Sequence, residues 1–209
     1  MPPVSVVFAN YSLTGFQPLG SIFISSGNSF YNLPNQKEKI NGLLDSLPID
    51  DRETYRLIIE HAVKLGYAPS QMKNVHGLTG VVVFQKSRAG KVRRLCKISP
   101  SSEGKNKNLY NTGKPLLSLS FSATKNYSDM FHEAVRQEYE TLKGGFKGCK
   151  GCNSCASPYV YRYPDGKTVL CCGGDKLMEL PQIGMENLDE IKDMMKSQDD
   201  FFEYNIFTT

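Results

Sequence analysis

Five of the six cysteines in this 209-residue chain fall between Gly144 and Gly174. Three are spaced Cys149-x-x-Cys152-x-x-Cys155, and sixteen residues after the third comes the pair Cys171-Cys172, followed by Gly173-Gly174. Between them run Tyr159-Val160-Tyr161-Arg162-Tyr163, the turn residues Pro164-Asp165-Gly166-Lys167, and Thr168-Val169-Leu170. Two β-prone runs joined by a Pro-Asp-Gly turn predict a β-hairpin. A hairpin returns its far end to its near end, so the cysteines that follow it can reach those that precede it.

Four thiolates gathered this way suit a tetrahedral metal site, with zinc the default occupant. Gly148, Gly151, Gly173 and Gly174 leave the backbone free to fold tightly around a metal. The expected ligands are Cys149, Cys152, Cys155 and Cys172, with Cys171 as the alternate to Cys172, because consecutive strand residues point to opposite faces. Three other readings compete. The triple Cys-x-x-Cys spacing resembles an iron–sulfur run, but Cys155 is followed by Ala156-Ser157-Pro158 and no Cys-Pro follows. Disulfides need an oxidising compartment. Free or redox-active thiols, with Cys149 and Cys152 cycling, would make the chain a redox protein.

No apolar run approaches the roughly 20 residues of a membrane span. The start, Met1 to Phe8, has no basic segment, so a signal peptide is not expected and a cytoplasmic location is. The net charge of +4 is uneven: residues 1–143 carry 18 Lys and Arg against 11 Asp and Glu, residues 144–209 carry 7 against 10. Six of the cations, Lys86, Arg88, Lys91, Arg93, Arg94 and Lys97, fall in twelve residues. Exposed at a sheet edge they would meet nucleic-acid phosphates; equally, they would guard that edge against aggregation. Tyr159, Tyr161 and Tyr163 share one strand face, fit either to stack bases or to cover a core.

Along the chain, Val4–Phe8 and Ser21–Ser25 read as short strands. Asn35 with Glu38 reads as a capping box opening a helix whose apolar face is Ile40, Leu43, Leu44 and Leu47. Asp50 with Glu53 repeats the signal before a stripe of Tyr55, Ile58, Ile59, Ala62 and Val63, stopped by Gly66. Gly80–Lys86 and Lys91–Ile98 read as a hairpin. Leu116–Ser122 alternates, with Leu117, Leu119 and Phe121 opposite serines, which predicts a half-buried strand. Ser128 is expected to cap a third helix facing inward through Phe131, Val135, Tyr139 and Leu142. Asn187 and Glu190 open a last helix with Leu188, Ile191, Met194 and Met195 inward, and the aromatic end, Phe201–Phe207, docks on the body. Helices grouped, then strands grouped, place the chain in the α+β class: an antiparallel sheet packed against a helical hairpin, with a C-terminal cysteine-rich β-hairpin subdomain. The expected division is an α+β unit over 1–143 and a zinc-binding hairpin plus helix over 144–209.

Asp50-Asp51-Arg52-Glu53, Gly66-Tyr67-Ala68-Pro69 and the strand pair after Gly80 carry a family resemblance. Residues 48–123 resemble small bacterial YdhG-like, iron-chaperone-like proteins in the order of a helix with an acidic start, a glycine turn and meandering strands. That resemblance implies a fold rather than a function, and leaves the cysteines outside it.

Other chemistry is sparse. His132-Glu133 begins like a zincin motif, but position 136 is Arg. There is no Gly-x-Ser-x-Gly, and no phosphate-binding loop of the full Gly-x-x-x-x-Gly-Lys-Ser/Thr pattern, since Gly166-Lys167-Thr168 has Tyr161 where the first glycine belongs. His61 and Cys96 read as structural. The resulting expectation is a soluble, non-enzymatic binding or regulatory protein with a structural zinc site made of four cysteines, whose ligand is another protein or a small molecule.

Overall fold

A computed structural model describes residues 34–72, 79–88, 90–102, 113–120, 128–136, 159–171, 178–180 and 182–204. The expected strands at Val4–Phe8 and Ser21–Ser25, together with Phe121, Tyr139 and Leu142, lie outside them.

Two helices open the described chain, α1 (Pro34–Ser46) and α2 (Ile49–Lys64). Both begin differently from the capping boxes expected. Pro34 is the first residue of α1, a position where a missing N–H costs nothing. Pro48 stands at the cap of α2, with no side-chain capping bond. Glu53 instead accepts from Arg56, at 2.8 Å from Nε and 2.6 Å from Nη2. The corner between the helices is held by Arg52, which donates to the carbonyls of Leu47 and Asp45, each at 3.0 Å. These are carbonyls that the end of α1 leaves without helical partners.

The apolar stripe of α2 is buried as its spacing requires. Gly66, at φ +86°, ends it in a Schellman arrangement. Tyr67 N–H bonds the Ala62 carbonyl at 3.1 Å, and Gly66 N–H bonds Val63 at 2.8 Å.

The chain then enters a strand that periodicity did not foretell, β1 (Ala68–Gln71). Pro69 sits within it, tolerated because β1 is an edge. β2 (Val82–Arg88) and β3 (Lys91–Ser99) form the expected hairpin, with Gly90 at φ +73° in the turn. A bulge interrupts their register at Phe84/Gln85. β4 (Leu116–Leu119) follows, then α3 (Asp129–Arg136), the separate pair β5 (Tyr159–Arg162) and β6 (Thr168–Cys171), β7 (Met178–Leu180) and α4 (Leu188–Tyr204).

The main sheet is antiparallel with order β1-β2-β3-β4-β7. The class is α+β. β7 and α4 follow the cysteine segment in sequence yet belong to the main sheet and its core. One face of the sheet, carrying Val82, Phe84, Cys96, Ile98, Leu117, Leu119, Met178 and Leu180, joins the apolar faces of α1, α2, α3 and α4 in a single core. From α4 this core takes Leu188, Ile191, Met194, Met195 and Phe202.

The half-buried character expected of β4 is corrected. All four of its residues are buried, Ser118 completely. A strand with a neighbour on each side has little edge to offer water, and here its second face is covered too.

The expected cap at α3 is also redirected. Ser128 donates its hydroxyl to Glu190 of α4 at 2.7 Å, and its N–H to the same carboxylate at 3.2 Å. Glu190 thereby ties the start of α3 to α4.

Candidate functional site

The turn between β5 and β6 is built by its sequence. Tyr163 N–H bonds the Lys167 carbonyl at 2.8 Å, Gly166 N–H bonds Tyr163 at 2.9 Å with φ +83°, and Asp165 accepts from Lys167 N–H at 3.0 Å. Tyr163, the residue leaving β5, is 2% exposed and part of the main core. Its ring centroid lies 6.5 Å from that of His132, and the Arg136 guanidinium stands over it at 4.9 Å. Arg136 also reaches Asp165 across the turn at 3.6 Å. Two residues of α3 therefore grip the closed end of this pair of strands. Of the two roles open to the tyrosine face, Tyr163 takes that of covering a core.

The open end leads to the cysteines. The register sets Tyr159 opposite Cys171, Val160 opposite Leu170, Tyr161 opposite Val169 and Arg162 opposite Thr168. Directly paired residues in an antiparallel ladder lie about 4.5–5.5 Å apart at Cα. Cys172 is one residue beyond Cys171, and Cys155 is four residues before Tyr159, a span of at most about 14 Å. Cys149, Cys152, Cys155 and Cys172 themselves lie outside the described residues. Among the described residues no group of three His, Cys, Asp or Glu could hold a metal ion. Cys96 is wholly buried in β3, and that burial pushes its thiol far above the usual range, so it stays protonated and inert.

The basic hairpin does not present six free cations. Lys86 pairs with Asp199 of α4 and also donates to the Leu65 carbonyl at 3.3 Å. Arg88 pairs with Glu203 at 2.7 Å and lies 4.0 Å from Asp199. Arg93 is buried, its guanidinium 5.2 Å from the Phe202 ring. Lys97 is half-buried. The expectation that Arg93 is an exposed phosphate contact is therefore corrected. Past the core, the inward face of β2 and β3 turns cationic and meets the C-terminal half of α4, whose last turn has no basic residue of its own. The hairpin supplies that charge from another part of the chain, where the helix dipole favours it.

Asp199 is the hub of this contact. It is 6% exposed and accepts from the Tyr67 hydroxyl at 2.9 Å as well as from Lys86, whose ammonium lies 4.4 Å from the Tyr67 ring centre. Burial, then the Asp199 charge, drives the Tyr67 phenol far above its ordinary value. More than a hundred residues separate Asp199 from either partner, so no local sequence signal announces the cluster.

A shallow groove of about 530 Å³ runs along α4, lined by His61, Asp189, Glu190, Lys192, Asp193 and Lys196. Burial, then the neighbouring Lys192 charge, holds His61 below the usual histidine range. No helix among the described residues is long and apolar enough to cross a membrane. The chain matches no protein-family model, no curated protein and no solved structure at a significant level.

Proposed function

We propose that this chain is a non-enzymatic binding or regulatory protein whose cysteine segment closes around a structural zinc ion. Cys149, Cys152, Cys155 and Cys172 are the ligands, with Cys171 the alternate to Cys172. The observation that supports this reading is the β5–β6 register. It sets Tyr159 against Cys171, so the two cysteine groups leave the strand pair at one end, while α3 holds the other end through Tyr163 and Arg136. Four sulfur ligands complete a tetrahedral shell and leave no open position for a substrate, which favours a structural over a catalytic ion.

The test is elemental analysis of purified protein, followed by chelation monitored by amide exchange. Stoichiometric zinc, with loss of protection in β5 and β6 on chelation, is the expected result. Metal-free protein with reactive thiols contradicts it. A brown preparation under anaerobic conditions assigns the cysteines to an iron–sulfur cluster instead.

A further inference from the structure

Val81, Val83 and Leu116 are buried without belonging to the core beneath the helices. They are 0%, 2% and 2% exposed, yet none joins the cluster that the helices share with the sheet. Alternation explains their side. Val82 and Leu117 point into that core, so Val81, Val83 and Leu116, their chain neighbours, point out of the opposite face. Ser99, paired with Leu116, and Ser118, in register with Val83 through Lys97, stand on this face as well and are 0% exposed. Burial this complete requires a third layer over the face. No described helix supplies it, because α1, α2, α3 and α4 all join the other side. Lys97 adds that the layer is uncharged. It lies half-buried in the middle of the row, and burial pulls its ammonium below the usual lysine range, whereas a carboxylate beside it would act in the other direction.

Residues 1–33 have the composition such a layer needs. They include no Asp, Glu, Lys, Arg or His, where the overall charged share of 22% would give a stretch of this length about seven charges. Apolar residues alternate in them at Val4, Val6 and Phe8, and again at Ile22 and Ile24. Every other stretch of six or more residues outside the described ones carries Lys, Asp or Glu. Their position also fits. α1 starts at Pro34 and packs against β1, the edge strand next to β2. The chain before Pro34 therefore sets out beside that edge, and its extended reach of about 100 Å exceeds several times the width of about 20 Å of a five-stranded sheet.

We infer that residues 1–33 dock on the outer face of β2, β3 and β4 of their own chain, with their alternating apolar residues against Val81, Val83 and Leu116. The sheet is then sandwiched between the helices and this uncharged segment. The contact is separate from the cysteine segment and stands whether or not that segment holds zinc.

The experiment is methyl NMR on the unaltered full chain, with Ile, Leu and Val methyls labelled. Nuclear Overhauser cross-peaks are expected from Val81, Val83 or Leu116 to Val4, Val6, Ile22 or Ile24. A sample mixed from differently labelled chains separates contacts within one chain from contacts between two, and there these cross-peaks should vanish. Cross-peaks that persist between chains identify a second copy as the occupant of the face and overturn the inference. Cross-peaks from the face only to methyls elsewhere in the chain, such as Leu109 or Leu142, overturn it too. So does a face whose methyls give no cross-peak to any methyl of residues 1–33.

Discussion

Replacing Asp199 by Ala should be among the most damaging single changes available in α4. The carboxylate is almost wholly buried and serves two groups at once, the Tyr67 hydroxyl and the Lys86 ammonium. Removing it leaves Lys86, with a side chain 16% exposed, as a nearly buried cation without its counter-charge, and leaves a buried phenol without its acceptor. Breaking a buried ion pair from one side costs about 3–5 kcal/mol, and an orphaned buried hydroxyl about 1–3 kcal/mol. Some relaxation is available, because Lys86 keeps its bond to the Leu65 carbonyl and its place over the Tyr67 ring. The net expectation is therefore about 3–5 kcal/mol, a large part of the roughly 5–15 kcal/mol that holds a whole domain together. Asp199→Asn retains an acceptor for Tyr67 and should cost less. The assay is urea unfolding followed by far-UV circular dichroism, with Lys86→Met, Tyr67→Phe and their combinations with Asp199→Ala. The single changes should be strongly non-additive, and the combination of Lys86→Met and Tyr67→Phe should rescue much of the Asp199→Ala loss. An Asp199→Ala loss below about 1 kcal/mol, additive with the others, would refute the view that this cluster fastens α4 to the hairpin.

Tyr163→Ala should cost about 3–5 kcal/mol by emptying a core position, and should release amide protection in β5 and β6 before the main sheet. Arg136→Ala, removing a partly exposed stacking and ion-pair contact, should cost about 1 kcal/mol or less in the same unfolding assay. Gly66→Ala meets open space but inherits φ +86°, so its cost of about 1–2 kcal/mol should be conformational, seen as an unchanged m-value with a lower midpoint. His61 has a folded pKa below its unfolded value of about 6.5, so the unfolded chain takes up the proton first. Stability should therefore be full above about pH 6.5 and fall as pH drops through the window beneath it, and His61→Gln should flatten that part of the pH profile.

What the sequence made legible was what local periodicity and turn chemistry control. The stripe from Tyr55 to Val63, its stop at Gly66, the turn at Gly90 and the inward face of α4 all follow from spacings of a few residues. The misses share a different cause. β1 and β7 are four and three residues long, too short for any period to register, and they exist because longer neighbours offer them a partner. Ser118 read as solvent-facing because alternation reports one buried face and is silent on whether the other is covered. Glu53, Ser128 and Asn187 were each recognised as capping residues. None caps as expected: Arg56 and Glu190 engage the first two, and Asn187 accepts from the Gly184 N–H at 3.0 Å as the last residue of a short 3-10 turn, Met185–Asn187, that precedes α4. Arg93 read as a surface cation, since nothing within its hairpin reveals that Phe202 lies over it. For the candidate metal site, spacing supplied the ligand set. The structure adds the register that sets Tyr159 opposite Cys171, while Cys149, Cys152, Cys155 and Cys172 lie outside the described residues.

The most direct measurement is therefore the zinc bound per chain, by native mass spectrometry, in the wild-type protein and in single replacements of all six cysteines. One zinc per chain is expected in the wild type and in Cys96→Ala, whose thiol is sealed in the core. Loss of metal is expected for Cys149→Ser, Cys152→Ser, Cys155→Ser and one of Cys171→Ser or Cys172→Ser, since opening one position of a closed shell removes much of a binding free energy of about 10–16 kcal/mol. A wild-type chain that folds without metal, or six variants that all keep a full complement, would contradict the account.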